Sequence, residues 1–343
     1  FISQLLKRLL KLKKKIYFEF LFLVILGALT SLSLPPYNYL FINFLTFSLF
    51  FIYIFKKKKL ANNNKTFLYG WLFGFGYFLT NVYWIVISLT FDENFKFLIP
   101  IALILIPSFL ATFYGIATYF FFLISINKPV SNLFLFSLLF GIIEFLRGTI
   151  LTGFPWNLIA YSFSKNLEII QFISLIGTYA FNILCISFFT SPAIFILREN
   201  RKEITVSIFL LLSPIILYMT GSSKIKSFQS TDIIKNDYII RAIGSKIDLN
   251  RFYGKTDASS VINELIQLSE PDLNTKTLFL WPEGIIPNIN QSELIKFRSL
   301  FHQKLNKNHL LGMGINSSEN DNNKNKFYNS FSFYDHNLNL LDA

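Results

Sequence analysis

Over the first two thirds of the chain, polar residues gather in short clusters separated by long apolar runs. Seven runs, at residues 17–34, 39–55, 67–89, 97–126, 130–146, 169–197 and 204–220, predict helices that cross a bilayer, for which roughly 20 apolar residues suffice. The fourth is too long for an upright span, and Pro100 and Pro107 are expected to kink it or delay its start.

After Lys224 the pattern changes, with polar and charged positions returning and apolar ones alternating. Residues 238–243 predict a strand. Residues 258–269 predict an amphipathic helix with Val261, Ile262, Leu265, Ile266 and Leu268 on its apolar side. Residues 277–281 predict a buried strand that must stop at Pro282, since proline cannot donate to a central ladder. A second helix is expected over 292–305, with Ser292 as its cap. Strands are expected at 309–315 and 327–334, joined by an Asn-rich loop over 316–326. Strand and helix alternate, which is an α/β signature. The expected organisation is a transmembrane domain of about seven helices at residues 1–222, then an incomplete α/β domain at 223–343.

Composition agrees. Hydrophobic residues make up 52% of the 343 positions and aromatics 18%, more than a soluble globule carries. The net charge of +12 need not mean a nucleic-acid partner, because the basic residues sit between apolar runs. Lys7, Arg8, Lys11, Lys13, Lys14, Lys15, Lys56 to Lys59, Lys65, Lys128, Arg198, Arg201 and Lys202 fall on one side of the expected topology. Lys96, Arg147 and Lys165 fall on the other. The positive-inside rule then puts the N-terminus in the cytoplasm and everything after residue 220 outside. The single cysteine, Cys185, excludes an internal disulfide.

Few residues are candidates for chemistry. Glu283 follows an apolar strand and Trp281-Pro282, and so lies at a strand's C-terminal edge, where α/β folds keep their sites. It can serve as a general base or be an ordinary loop acid. Glu144 and Arg147, three apart on one helix face, can pair. The loop after them, Gly153-Phe154-Pro155-Trp156-Asn157, is forced out of helical geometry and carries two aromatics at interfacial depth. It is either an aromatic belt with a snorkelling Arg or a lipid-contacting loop on the same side as Glu283. Gly70 and Gly74 read as a close helix contact, and Asn81 as an interhelical hydrogen bond. Cys185 has no nearby base and reads as packing. His302, His309 and His336 lack metal-ligand spacing, and no glycine-rich phosphate loop is present.

In chain order, Ser33-Leu-Pro-Pro-Tyr37, Gly70 to Trp84, Glu144-Phe-Leu-Arg147, Gly153-Phe-Pro-Trp156, Trp281-Pro-Glu283, Gly312-Met-Gly314 and Tyr328-Asn-Ser330 resemble motifs of the apolipoprotein N-acyltransferases. The resemblance implies a bacterial inner-membrane, multi-pass enzyme with a periplasmic nitrilase-like domain of α-β-β-α sandwich type. Its chemistry would be a two-step acyl transfer, from a phospholipid donor to an enzyme thioester, then to the diacylglyceryl apolipoprotein acceptor. Glu283 would be the catalytic base. Trp156, Pro155, Phe154, Arg147 and Tyr253 would contact substrate. No cofactor, metal or nucleic acid is implied. The family's Lys and Cys segments, and an eighth span, are expected beyond residue 343, so that these residues alone would be inactive. One departure is that Gly244-Ser-Lys246 and Phe252-Tyr253 stand where the family has a Gln-containing strand end and a Lys-Trp pair. A membrane-anchored amidase, a non-catalytic remnant and a transporter are the alternatives. No inverted repeat favours the last.

Overall fold

The computed structural model describes residues 2–59, 65–230, 238–244, 257–286, 288–321 and 324–343. They form two compact units, Phe1–Thr231 and Asp232–Ala343.

The first unit is helical: α1 (Ile2–Ser31), α2 (Ile42–Lys59), α3 (Thr66–Val82), α4 (Ile99–Ile124), α5 (Pro129–Thr149), four short helices α6 (Leu167–Ile170), α7 (Ile173–Ile176), α8 (Thr178–Thr190) and α9 (Ala193–Leu197), and α10 (Arg201–Gln229). Four segments among the described residues are long and apolar enough to cross a membrane: Thr66–Thr90, Glu93–Ile124, Pro129–Thr149 and Arg201–Gln229. Tyr17–Ser31, Leu167–Ile176 and Thr178–Thr190 are shorter apolar helices. The unit's outer surface agrees with a lipid environment, since Leu105, Phe97, Ile196 and Met219 all stand exposed, a distribution a water-facing surface would not tolerate.

The sixth apolar run, expected as one span, is broken. Gly177 sits between α7 and α8 at φ 79, a conformation that ends a helix. Pro192 then lies between α8 and α9. The third and fourth runs change pitch where their sequence does, with 3-10 turns at Tyr83–Thr90 and Glu93–Leu98. Pro107, by contrast, stays inside α4.

Glycines set the helix spacing. A Cβ on Gly27 would lie 1.9 Å from the Phe73 carbonyl oxygen, and one on Gly76 1.9 Å from that of Val24, so α1 and α3 touch backbone to backbone. Gly70 and Gly74 let α4 approach the other side of α3, at Tyr114, Thr118 and Ala111. Phenylalanines of α2, α3 and α5 pack the core beside them: Phe50 stacks on Phe73 at 4.2 Å, and Phe136 and Phe140 meet tilted at 4.5 Å. Asn81 does not bridge helices, because its amide donates to the Tyr77 carbonyl of its own helix at 2.9 Å.

The second unit is a five-stranded sheet in chain order: β1 (Ile239–Ala242), β2 (Thr277–Trp281), β3 (His309–Asp321), β4 (Lys324–Asp335) and β5 (Leu340–Asp342). β1, β2 and β3 are parallel, while β3–β4 and β4–β5 are antiparallel. α11 (Ala258–Ser269) begins at Asp257, whose side chain accepts from the Ser260 amide. Val261, Ile262, Leu265 and Ile266 are buried with Phe279, Trp281, Leu311 and Met313. The helix expected over 292–305 is a 3-10 turn, Gln291–Phe297, running into α12 (Arg298–His302). Its cap is Asn290, which forms a reciprocal capping box with Glu293, so Ser292 lies inside. The Asn-rich loop expected over 316–326 is instead the far end of a long hairpin, with Asn316 paired to Asn329 and Glu319 to Lys326. Asn propensity is weak against a ladder already templated by the preceding apolar residues.

Candidate functional site

Residues 150–157 follow α5, and their backbone cannot continue the helix. Leu151, Gly153 and Asn157 have φ of 57, 72 and 60, and a Cβ on Gly153 would lie 2.5 Å from the Gly148 carbonyl oxygen. A non-helical turn beside apolar helices leaves carbonyls that need donors. Arg147 supplies them. Its guanidinium donates to the carbonyls of Phe154 at 2.5 Å and Trp156 at 2.8 Å. Its Nε donates to Glu144 Oε2 at 2.8 Å, and its NH2 group pairs with the same oxygen. Tyr114 donates to Glu144 Oε1 at 2.6 Å, and Tyr77 to the Asn157 carbonyl at 2.6 Å. Glu144 is fully buried and Arg147 is 2% exposed. The expected pair is present, but it faces inward rather than snorkelling.

The expected substrate-contacting residues therefore divide. Arg147 spends its donors on the loop and carries its shape. Phe154 is half-buried, while Pro155 and Trp156 are exposed. Trp156 stacks on Trp84 at 5.2 Å and meets Phe154 at 5.3 Å. Tyr253 lies outside the described residues. Between α4 and this loop is an apolar cavity of about 480 Å³, lined by Ile85, Leu105, Phe109, Phe113, Arg147 and Phe154 among others. Its size and lining suit a hydrocarbon chain.

In the second unit, β2 alternates buried and half-buried residues and delivers Trp281 inward. There the indole donates to Ser269 Oγ at 2.9 Å. The chain leaves the sheet at Pro282, so Glu283 lies just past the carboxyl end of a parallel strand, where open α/β sheets place ligands. Glu283 is exposed. Its Oε1 accepts from the Asn329 side-chain amide. The Gly284 amide donates to the Gly314 carbonyl at 3.2 Å. A small cavity of about 90 Å³ is lined by Glu283, Gly314, Asn316, Asn329 and neighbouring apolar residues. Cys185 is fully buried in the helical unit.

Sequence reasoning did not single out Tyr77, Tyr114 or Asn329 as partners of these groups. The two tyrosines are hidden in a chain where aromatics are 18% of residues. Asn329 lies within the Tyr328-Asn-Ser330 motif, which by itself gives it no role.

Similarity to known proteins agrees with this geometry. The apolipoprotein N-acyltransferase N-terminal domain matches residues 26–190. An apolipoprotein N-acyltransferase of Rhodopseudomonas palustris is 28% identical over 76% of this chain and 50% of its own length. One from Rhizobium etli is 29% identical over 79% and 53%, and one from Rickettsia prowazekii 28% identical over 93% and 62%. The chain thus spans about half the length of most of the curated relatives it matches. With the N-terminal domain matched and the two motif-bearing segments folded around Arg147 and Glu283, the chain is similar to the apolipoprotein N-acyltransferases over most of its length.

Proposed function

We propose that the full-length protein transfers an acyl chain from a phospholipid to the α-amine of the diacylglyceryl-modified N-terminal Cys of apolipoproteins, through a thioester on the enzyme. The observation that carries the reading is the apolar cavity of about 480 Å³ beside the Arg147-held loop. A soluble amide needs no such cavity, which favours acyl transfer over a membrane-anchored amidase. Phe154, Pro155 and Trp156 would line the acyl entry, with Arg147 holding them. Tyr253 remains a candidate for substrate contact.

In the first step a thiolate attacks the ester carbonyl and the C–O bond breaks. The lysophospholipid leaves as an alcohol, taking the proton that Glu283 removed from the thiol. In the second step the lipoprotein amine attacks the thioester and the C–S bond breaks. The amine's proton then returns to sulfur through Glu283. Cys185 is not that thiol, since it is fully buried among apolar side chains, where a thiolate is disfavoured. Residues 1–343 by themselves are therefore expected to form no acyl-enzyme. No cofactor is required, and the partners are membrane lipids and the apolipoprotein.

We place the chain in a bacterial inner membrane with seven crossings, a cytoplasmic N-terminus and a periplasmic nitrilase-like domain. Lys/Arg asymmetry supports that orientation. It becomes sharper once Arg147 is counted as buried and paired rather than as a loop charge. The test is to incubate the full-length protein with acyl-labelled phospholipid. Hydroxylamine-sensitive label on the protein, passing to a diacylglyceryl-cysteinyl peptide on chase, is the expected result. Release of ammonia from a soluble amide without any protein label would instead establish the amidase.

A further inference from the structure

A carboxylate that takes and returns protons works only if it is held where the proton arrives. Glu283 is exposed and follows a strand's end, so nothing on its own segment fixes its side chain. The fixing groups come from the next two strands. On β3, Gly314 leaves open the space that Glu283 occupies: a Cβ there would lie 2.7 Å from Glu283 Cα and 2.9 Å from its Cβ. On β4, Asn329 stands opposite Asn316, and Gly314 stands opposite Phe331. Side chains two apart on a strand share a face, so Gly314 and Asn316 share one face of β3. From β4 the Asn329 amide donates to Glu283 Oε1. This contact links residues 46 apart in the chain, and it exists only if β2, β3 and β4 are in register.

We propose that Asn329 is a positioning residue, whose amide holds the Glu283 carboxylate in one orientation within the space that Gly314 leaves free. The inference rests on Glu283 being the general base. The amide donates to Oε1 and so fixes the direction in which the carboxylate points. A carboxylate in its place would have no proton to donate and would repel Glu283.

The experiment is the pH profile of thioester formation by the full-length protein, for wild type, Asn329→Asp, Asn329→Ala and Gly314→Ala, with Glu283→Gln as reference. Asn329→Asp is expected to move the acid limb upward by roughly one pH unit or more, recovering part of its rate at higher pH. Asn329→Ala is expected to move it less, with a lower maximal rate. Gly314→Ala displaces Glu283 without touching the amide, and should lower the maximal rate without the shift given by Asn329→Asp. A full loss in Glu283→Gln alongside unchanged rates and limbs in both Asn329 variants would overturn the positioning role alone. A lowered rate with an unmoved limb in both would assign Asn329 a merely structural part. Wild-type behaviour of Glu283→Gln would overturn the base itself, and the inference with it.

Discussion

At the scale of single residues, Glu144 and Arg147 show how a charge is tolerated among apolar helices. Each is buried, and each is held by more than the other: Tyr114 completes Glu144, and the carbonyls of Phe154 and Trp156 complete Arg147. Taking one partner away leaves the other charged and unpaired, which costs about 3–5 kcal/mol in buried pairs. Glu144→Ala and Arg147→Ala are each expected to lower stability by that order, and the double variant by less than the sum of the two. Thermal melts of the detergent-solubilised protein would show this. Additive losses would mean the two side chains do not act as a unit. Cys185 makes the opposite point: a reactive residue type fully buried among apolar side chains. Cys185→Ala should leave thioester formation as in wild type, and loss of label in that variant would return Cys185 to the list of nucleophiles.

At the scale of elements, much was legible in the sequence, and the failures share a cause. The helix over Ala258–Ser269 and the strand from Thr277 follow directly from local patterns, because an amphipathic period decides the one and a short apolar run ended by Pro282 decides the other. The break in the 169–197 run at Gly177 and the Asn-rich hairpin are not legible locally. A glycine within an apolar run looks the same whether it packs a helix, as Gly76 does against Val24, or ends one, as Gly177 does. Likewise Asn residues read as a loop until the register of β3 on β4 is known. The Gly153 loop was legible as non-helical, but its support was not, since nothing local says that Arg147 turns inward. The Trp84–Trp156 stack is worth about 0.5–1.5 kcal/mol beyond burial. Trp156→Ala should therefore fold, while lowering thioester formation from phospholipid by about tenfold or more, near 1.4 kcal/mol of barrier. An unchanged rate would leave Trp156 as an interfacial belt residue only.

At the scale of the whole molecule, a membrane-grade helical unit and a mixed α/β unit lie on one chain, and the proposed orientation rests on the distribution of Lys and Arg. A reporter active only in the periplasm should work when fused after Ser227 and fail after Lys59, and the reverse pattern would overturn the orientation proposed here. The role proposed for Glu283, past the end of β2, is that of the base of an acyl transfer. The measurement that tests it most directly compares wild type and Glu283→Gln in the full-length protein, supplied with acyl-labelled phospholipid. Hydroxylamine-sensitive label is counted per mole of protein against time. Glutamine keeps the side chain's shape and its contact distance to Asn329 while removing basicity. The expected rate of label is lower by a factor of about 10²–10⁴, with unchanged thermal stability. Label accumulating in Glu283→Gln at the wild-type rate would contradict it.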